Sequence, residues 1–555
     1  VKESGWFDPD HPDDEEKRFN IRSVQHVKEY LFGEELNGKV TKDGKTVRLR
    51  PPGAKSLRVT PLLDTSKPPK QWSKLVSEGK EREHSPSTGK AVLAILAQEN
   101  LHVADQINQI RDYRFLDQVL KSVLRPPVTD DDGNWLFEAD DAGREYMVYD
   151  AGLAYVVDDD GHVRTHLYPT AETGRWKSAR PNLQNISKTR DPDYERLLGK
   201  ENYNRKLRSV LMAPPREVKY PWPVMKNGKL TVEYRGGDDD PENELYLLES
   251  DLKGAELYLM AIQSGDKKMI DHAQRSITFP DEGYDLDGNP VAKGEYPHPE
   301  YYDIHSNVAV MAFNLKCHPS KPGLKSIGKS HIRNVAKTVI FGIAYGRQAK
   351  AIALTAKEQK KPPKPGQPPE TDITPEDAQR VIDAIFQMYP GLKPFFEECR
   401  KRALGEGWLC NCFGRFRRFP SVTDYKLEGE FERQAMNYPI QSGIASLVDR
   451  WLSVLHTARR RMLPEVGEFI FQWQLQVHDA LVVRAPRRWI PYIGQTLIPW
   501  ALQQIPVYPS YLDGRPHKKA KPYYLGADVE VFKNWGEKFS KAKCAELGFP
   551  EKWGK

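Results

Sequence analysis

The sequence predicts a mixed α/β fold of the α+β kind, with helices beside strands, and three observations carry that expectation. Leu245-Tyr246-Leu247-Leu248-Glu249-Ser250-Asp251 is an apolar run ending in a carboxylate, and Glu468 to Arg484 reads as a strand pair interrupted at Val477-His478-Asp479. Apolar residues recur at helical spacing over Val24 to Leu31, Ala91 to Ala97 and Val103 to Val123. Asp130-Asp131-Asp132-Gly133 and Asp158-Asp159-Asp160-Gly161 read as hairpin turns between β-rich segments such as Tyr146 to Val157.

At 555 residues the chain is long enough for three or four domains or subdomains of about 150 residues each. Hydrophobic residues at 39% against charged residues at 29% exclude a chain disordered throughout. No apolar run approaches the ~20 residues that span a bilayer, so a soluble protein without a membrane partner is expected. The five cysteines, Cys317, Cys399, Cys410, Cys412 and Cys544, form no C-x-x-C pair, which argues against a disulfide scaffold or a structural zinc site. A net charge of +6 allows a polyanionic partner without requiring one.

Taken in order, residues 1–18 are dominated by Asp, Glu, Pro and Lys and read as an acidic tail. The amphipathic helices follow, the second group after a Ser85-Pro86-Ser87-Thr88 capping signal, and Gly38 to His84 between them reads as loop. Lys357 to Thr374, with its repeated Lys-Pro-Pro, reads as a flexible insertion between two helical regions.

The chemistry begins in Arg333-Asn334-Val335-Ala336-Lys337-Thr338-Val339-Ile340-Phe341-Gly342-Ile343-Ala344-Tyr345-Gly346. At about 100° per residue, each step of four drifts only ~40°, so Arg333, Lys337, Phe341 and Tyr345 form one stripe down a helix. Two cations leading into two aromatics suit a nucleoside triphosphate, with the cations on phosphate and the rings on sugar and base. An ordinary amphipathic helix gives the same spacing. The strand-end carboxylates Asp251 and Asp479 favour the chemical reading, because side-by-side carboxylates repel unless divalent cations separate them.

Together these residues resemble the family A DNA polymerases, the group of bacterial DNA polymerase I and phage replicative polymerases. Motif A falls at Asp251 to Leu257, motif B at Arg333 to Gly346 and motif C at Val477 to Asp479. Thr173-Gly174-Arg175 with Pro181 to Ile186, Asp303-Ile304-His305, Gly414-Arg415, and Arg433 with Asn437 to Gln441 also fall in register, and the resemblance runs from Phe19-Asn20 to Asn534-Trp535-Gly536.

The resemblance implies a right-hand polymerase fold with an antiparallel-sheet palm, helical fingers and a partial helical thumb. The implied domains are residues 1–18, an acidic N-terminal tail; 19–125, a partial thumb; 126–260, the first part of the palm with motif A; 261–425, fingers with insertions; and 426–555, the second part of the palm with motif C. The implied activity is template-directed addition of a deoxynucleoside monophosphate to a primer 3′ hydroxyl with pyrophosphate release. Two Mg²⁺ ions, for which Mn²⁺ can substitute, would be held by Asp251, Asp479 and the backbone carbonyl of Leu252. Arg333, Lys337 and His305 would bind the triphosphate, Lys337 also protonating the leaving group, while Phe341 packs on the sugar and Tyr345 lies near the templating base. Glu256 beneath the sugar C2′ would exclude a 2′ hydroxyl and so select dNTPs, which disfavours an RNA polymerase. Arg175, Arg433, Asn437, Gln441 and His478 would touch the primer-template DNA.

The chain also departs from the family. Ala480 follows Asp479 where many relatives carry Glu, Leu252-Lys253-Gly254 stands where bacterial relatives carry Tyr, Ser and Gln, and Tyr258 replaces the usual Arg. Only 18 residues precede Phe19-Asn20, so an exonuclease domain and half of the thumb are expected to be cut away or supplied by another chain. A processivity factor is a further expected partner. The expected setting is the cytoplasm or nucleoid of a cell, a virus-infected cell, or an organelle. The alternative is a catalytically weakened primer-template binding subunit, motivated by Ala480 and the expected loss of part of the thumb.

Overall fold

The computed structural model describes residues 21, 24–32, 56–59, 88–124, 137–139, 145–147, 153–158, 161–169, 171–179, 181–184, 186, 220–227, 229–235, 241–277, 283–284, 290–291, 303–358, 373–421, 425–466 and 470–554. The chain divides into two compact units, Val1–Arg164 with Gln348–Ala378, and Thr165–Arg347 with Gln379–Lys555.

In the first unit the expected helices form as Val24–Phe32, Lys90–Glu99 and Ala104–Leu124. Val27, Leu31, Leu93, Leu96 and Ile107 close one buried cluster. Val59 joins it because residues 57 and 59 donate main-chain bonds to Tyr30 and Leu31 at 2.7 and 2.8 Å. The capping expectation is corrected: the helix starts at Lys90 behind Gly89, with no side-chain cap. Thr88 is instead buried, its carbonyl taken by Arg114 Nη1 at 2.7 Å.

At the expected Asp158 to Gly161 turn, whose Asp159 and Asp160 lie outside the described residues, Val157 bridges Val163 and Gly161 N donates to Asp158 O at 2.8 Å. The preceding β-rich reading is corrected in part. Glu145–Met147 is a strand, but Leu153–Tyr155 is a 3₁₀ turn. That turn buries Leu153 while Tyr155 faces solvent, a split that β-propensity alone does not foresee. Residues 1–20, Asp130 to Gly133, most of Gly38 to His84 and residues 359–372 of the Pro-rich insertion lie outside the described residues.

The second unit is organised on a five-stranded antiparallel sheet in the order Gln472–Val477, Ala480–Pro486, Leu245–Leu252, Ala527–Asn534, Glu537–Lys538. Leu245–Leu252 is central and buried along almost its whole length, which is why its sequence is continuously apolar instead of alternating. Its one buried carboxylate, Glu249, accepts from Trp535 Nε1 at 2.7 Å. Leu245, Leu247, Val477, Val482, Phe532 and Trp535 pack as one cluster.

Beside the sheet runs the 42-residue helix Tyr425–Val466, packed against helices Ala255–Ser264 and Leu392–Gly405. Gly443 permits the close approach: a Cβ there would sit 2.8 Å from Leu259 Cδ1. Helix Ser330–Ala344, which carries the basic and aromatic stripe, packs against Ile304–Ala312.

Candidate active site

The register of the sheet places the first two candidates. Asp251 pairs across the ladder with Ala480 on one side and Asp528 on the other. His478 and Asp479 are the two turn residues that join the flanking hairpin, closed by the Val477 to Ala480 pair. The Leu252 N–H donates to Asp479 O at 3.2 Å, so motifs A and C meet through the main chain. Such a turn needs positive φ, which His478 adopts at 56°, a strained value for a residue with a Cβ.

Buried amides hold that turn. Gln476 Nε2 donates to His478 O at 2.6 Å, and Gln184 Nε2 donates to both Gln476 O and Gln476 Oε1 at 2.9 Å. Gln184 Oε1 in turn accepts from Ser178 N at 3.0 Å. The Pro181 to Ile186 segment therefore acts on motif C from 292 residues away. Asp479 is partly buried, and that burial pushes its carboxyl above the usual value despite the opposing field of Arg175 and His478.

After Leu252 the chain must reverse from strand to helix. Gly254 does so at φ 52°, a value that favours glycine, and sets Glu256 in the first helical turn. Three elements converge on Glu256. Tyr345 Oη donates to its Oε1 at 3.0 Å, Gln441 Nε2 donates to the same oxygen and to Tyr345 Oη at 2.8 Å, and Arg175 Nη2 stands 3.7 Å away. Burial and the carboxylate push the Tyr345 hydroxyl up to about 12.

Arg175 is presented by a clamped loop. Arg415 Nη1 donates to Gly174 O at 2.7 Å, while Asp449 accepts from Arg415 Nη2 at 2.8 Å and from Trp176 Nε1 at 2.6 Å. Gly174 tolerates this because it has no Cβ and sits at φ 74°.

The rest of the stripe, Arg333, Lys337 and Phe341, forms a second group with Asp303 and His305. Arg333 donates to both carboxylate oxygens of Asp303, at 2.6 and 2.8 Å. Asp303 also caps its own helix through Ser306 N at 2.9 Å. Burial alone would raise the Asp303 carboxyl, but Arg333, His305 and Ser306 outweigh it and hold it low. His305 faces Phe341 at 6.1 Å between ring centroids, and Lys337 Nζ lies 6.0 Å from the same ring. Burial, with Arg333, Lys337 and Lys321 adding to it, lowers His305 to about 4 against the pull of Asp303. The imidazole is neutral at physiological pH, and its buried Nδ1 has no hydrogen-bond partner. The group thus gathers a guanidinium paired with Asp303, the ammonium groups of Lys337 and Lys321, and a neutral imidazole.

The remaining candidates lie on the long helix. Asn437 and Gln441 are one turn apart, each with a buried carbonyl oxygen that lacks a protein partner. Arg433 packs its stem against Gly346 at the end of motif B, where a Cβ would meet it at 2.8 Å.

Residues 229–499 match the family described as DNA polymerase family A. Within that segment the chain has the signature of a family A DNA polymerase domain. It is 31% identical to the DNA polymerase of Escherichia phage T5 over 196 residues, 35% of this chain and 20% of that protein. It is 26% identical to DNA polymerase I of Treponema pallidum over 403 residues, 72% of this chain and 30% of that protein. The aligned segments span less than a third of these relatives. Among solved structures, the POL domain of Pol1 from M. smegmatis, in complex with DNA primer-template and dNTP, matches in fold with a TM-score of 0.53 at 17% identity, over 94% of this chain and 62% of that one. The family segment takes in motifs A, B and C of the polymerase domain.

Sequence reasoning missed several members of the site. Asp449 and Trp176, which fix the Arg175 loop, carry no motif of their own. Lys321 and Asp528 stand outside the stripe and the strand ends that drew attention. Lys253 gains an account here: its Nζ pairs with Asp528 Oδ1 at 3.2 Å and its N–H bonds Gly526 O at 2.9 Å.

Proposed function

We propose that this chain is a template-directed DNA polymerase that adds a deoxynucleoside monophosphate to a primer 3′ hydroxyl and releases pyrophosphate. The observation that carries the proposal is the meeting of motifs A and C at the end of the central strand, where Leu252 N bonds Asp479 O beside Asp251.

Asp251, Asp479 and the Leu252 carbonyl make an all-oxygen donor set, which suits Mg²⁺ or Mn²⁺. The raised Asp479 carboxyl fits as well, because a cation relieves the cost of ionising it in a partly dry site. Among the described residues no group of three or more His, Cys, Asp or Glu side chains could hold an ion by itself. The triphosphate would complete the set, as is usual for Mg²⁺. Two such ions would supply Lewis-acid activation of the attacking hydroxyl and charge neutralisation on the triphosphate.

The chain's own residues do the rest. Arg333 and Lys337 bind phosphate as cations and His305 as a neutral donor, and Lys337 gives a proton to the departing pyrophosphate. Phe341 supports the sugar, and Tyr345 is positioned for the templating base. Glu256, held from three sides, fills the space a 2′ hydroxyl would need. Arg175, Arg433, Asn437, Gln441 and His478 would contact primer-template DNA; the buried carbonyl of Asn437 leaves its amide as a donor to the acceptors common to all base pairs in the minor groove, while the Gln441 amide, held by Glu256 and Tyr345, would have to exchange one of those bonds to do the same.

Primer extension on a defined DNA template tests the proposal. The wild-type chain should extend with dNTPs and not rNTPs, and Glu256→Ala should gain rNTP use. No extension by the wild-type chain, with primer-template still bound, would refute it.

A further inference from the structure

The chain between helix Ile498–Gln503 and strand Ala527–Asn534 lies beyond the family segment, which ends at residue 499. It is a built hairpin. Val507 and Tyr523 exchange main-chain bonds at 2.8 Å in each direction, His517 N donates to Pro509 O at 2.9 Å, and Tyr511 N donates to Arg515 O at 2.9 Å. Cys410 N donates to Leu512 O at 2.8 Å, which ties the hairpin to strand Trp408–Cys410. Gly514 seats against the Cys410 sulfur, where a Cβ would come within 2.7 Å. Underneath, Tyr258 is 3% exposed and lies beside Tyr523 and Tyr524 of the hairpin. Tyr258, the departure from the family that directly follows motif A, is therefore buried beside this hairpin.

What the hairpin presents is basic and aromatic. Between Ile505 and Gly526 stand Arg515, Lys518, Lys519 and Lys521 against a single acid, Asp513, which is paired with Arg515. The three lysines are exposed, as are Tyr511 at 50% and Tyr524 at 42%. Lys519 is held at φ 60°, so its placement is fixed by the hairpin and not by its own preference. The hairpin then runs into Gly526, whose carbonyl accepts from Lys253 N at 2.9 Å, and Asp528 pairs in register with Asp251.

A run of lysines is ordinarily a solvated face. Here it sits on an anchored hairpin whose last residue is bonded to Lys253, directly after the strand that carries Asp251. We infer that the 505–526 hairpin is a docking platform for the sugar-phosphate backbone of duplex primer-template DNA, with Lys518, Lys519 and Lys521 as the phosphate contacts. The charge complementarity favours a polyanion, and the position favours the one whose end must lie at Asp251. The inference rests on the polymerase reading for the identity of that polyanion.

The test is equilibrium binding of the full chain to a labelled blunt-backed primer-template across a KCl series, with single-turnover dNMP incorporation at saturating DNA measured alongside. A triple variant, Lys518→Ala with Lys519→Ala and Lys521→Ala, should bind duplex about tenfold more weakly or worse near 0.1 M salt. Its log Kd against log salt slope should be shallower by about 2 to 3, at ~0.9 per lost phosphate contact. Its incorporation rate at saturating DNA should match wild type. The same three positions as Arg should restore affinity and slope, which a merely structural role would not require. Unchanged affinity and slope in the Ala variant would overturn the inference. So would a loss confined to single-stranded DNA, or an equal loss for the Arg variant. If the wild-type chain binds duplex but never extends it, the polymerase reading fails while the binding comparison still decides the platform.

Discussion

Replacing Tyr345 by Phe removes one hydroxyl from the network around Glu256 and leaves the ring in place. That hydroxyl donates to Glu256 Oε1 at 3.0 Å and accepts from Gln441 Nε2 at 2.8 Å. A hydrogen bond to a charged acceptor contributes about 1.5–3 kcal/mol net. Tyr345 is 36% exposed, so water takes back part of this. Gln441 and Arg175 also remain on Glu256 after the substitution. About 1 kcal/mol should therefore be lost from the positioning of Glu256, which corresponds to roughly a fivefold fall in the preference for dNTP over rNTP. The assay is single-turnover incorporation of dCTP and CTP opposite template dG, compared as ratios of efficiency. Because the hydroxyl is pushed up to about 12, the wild-type preference should be flat between about pH 7 and 9. A ratio unchanged in Tyr345→Phe while Glu256→Ala collapses it would show that Tyr345 does not position the carboxylate.

Two further outcomes follow from buried polar groups. His305, lowered to about 4, should stay neutral down to about pH 5 when followed by NMR of ¹³C-labelled histidine. Its folded value lies below the unfolded 6.5, so the unfolded chain takes up the proton first. Its contribution to stability is then complete above about 6.5 and is lost as pH falls toward 4, by at most about 3 kcal/mol. A ring titrating near 6.5 would contradict the burial assigned to it. Gln184→Leu should cost about 2–4 kcal/mol in urea unfolding, because Ser178 N and the Gln476 amide lose partners inside the core; a cost under about 0.5 kcal/mol would mean that the pair does not hold the motif C turn.

Much of the five-stranded sheet was legible because its central strand is covered on both faces. Burial there requires a continuous apolar run, and the Asp251 that ends it stands out by contrast. The break at His478-Asp479 was visible for the same reason. The stripe of Arg333, Lys337, Phe341 and Tyr345 follows from helical geometry alone. What the sequence could not show were pairings made by packing. Asp303 holds Arg333 across 30 residues, Asp449 reaches Trp176 across 273, and Gln184 reaches Gln476 across 292. Each of these side chains is unremarkable until the fold supplies its partner. Tyr258 and Lys253 belong with them: one lies under the 505–526 hairpin, and the other neutralises a carboxylate that the ladder sets beside Asp251. Leu153 to Tyr155 failed differently: of the three only Tyr155 favours a strand, and the segment forms a 3₁₀ turn.

The central claim is that Asp251 and Asp479 act together on one reacting centre. The most direct measurement is single-turnover dNMP incorporation with Mg²⁺ by Asp251→Ala and by Asp479→Ala, with duplex affinity measured on the same preparations. Each variant should lose incorporation on the order of 10³-fold, equivalent to about 4 kcal/mol of transition-state stabilisation, and keep wild-type DNA affinity to within about threefold. Either variant incorporating within about tenfold of wild type would contradict the account.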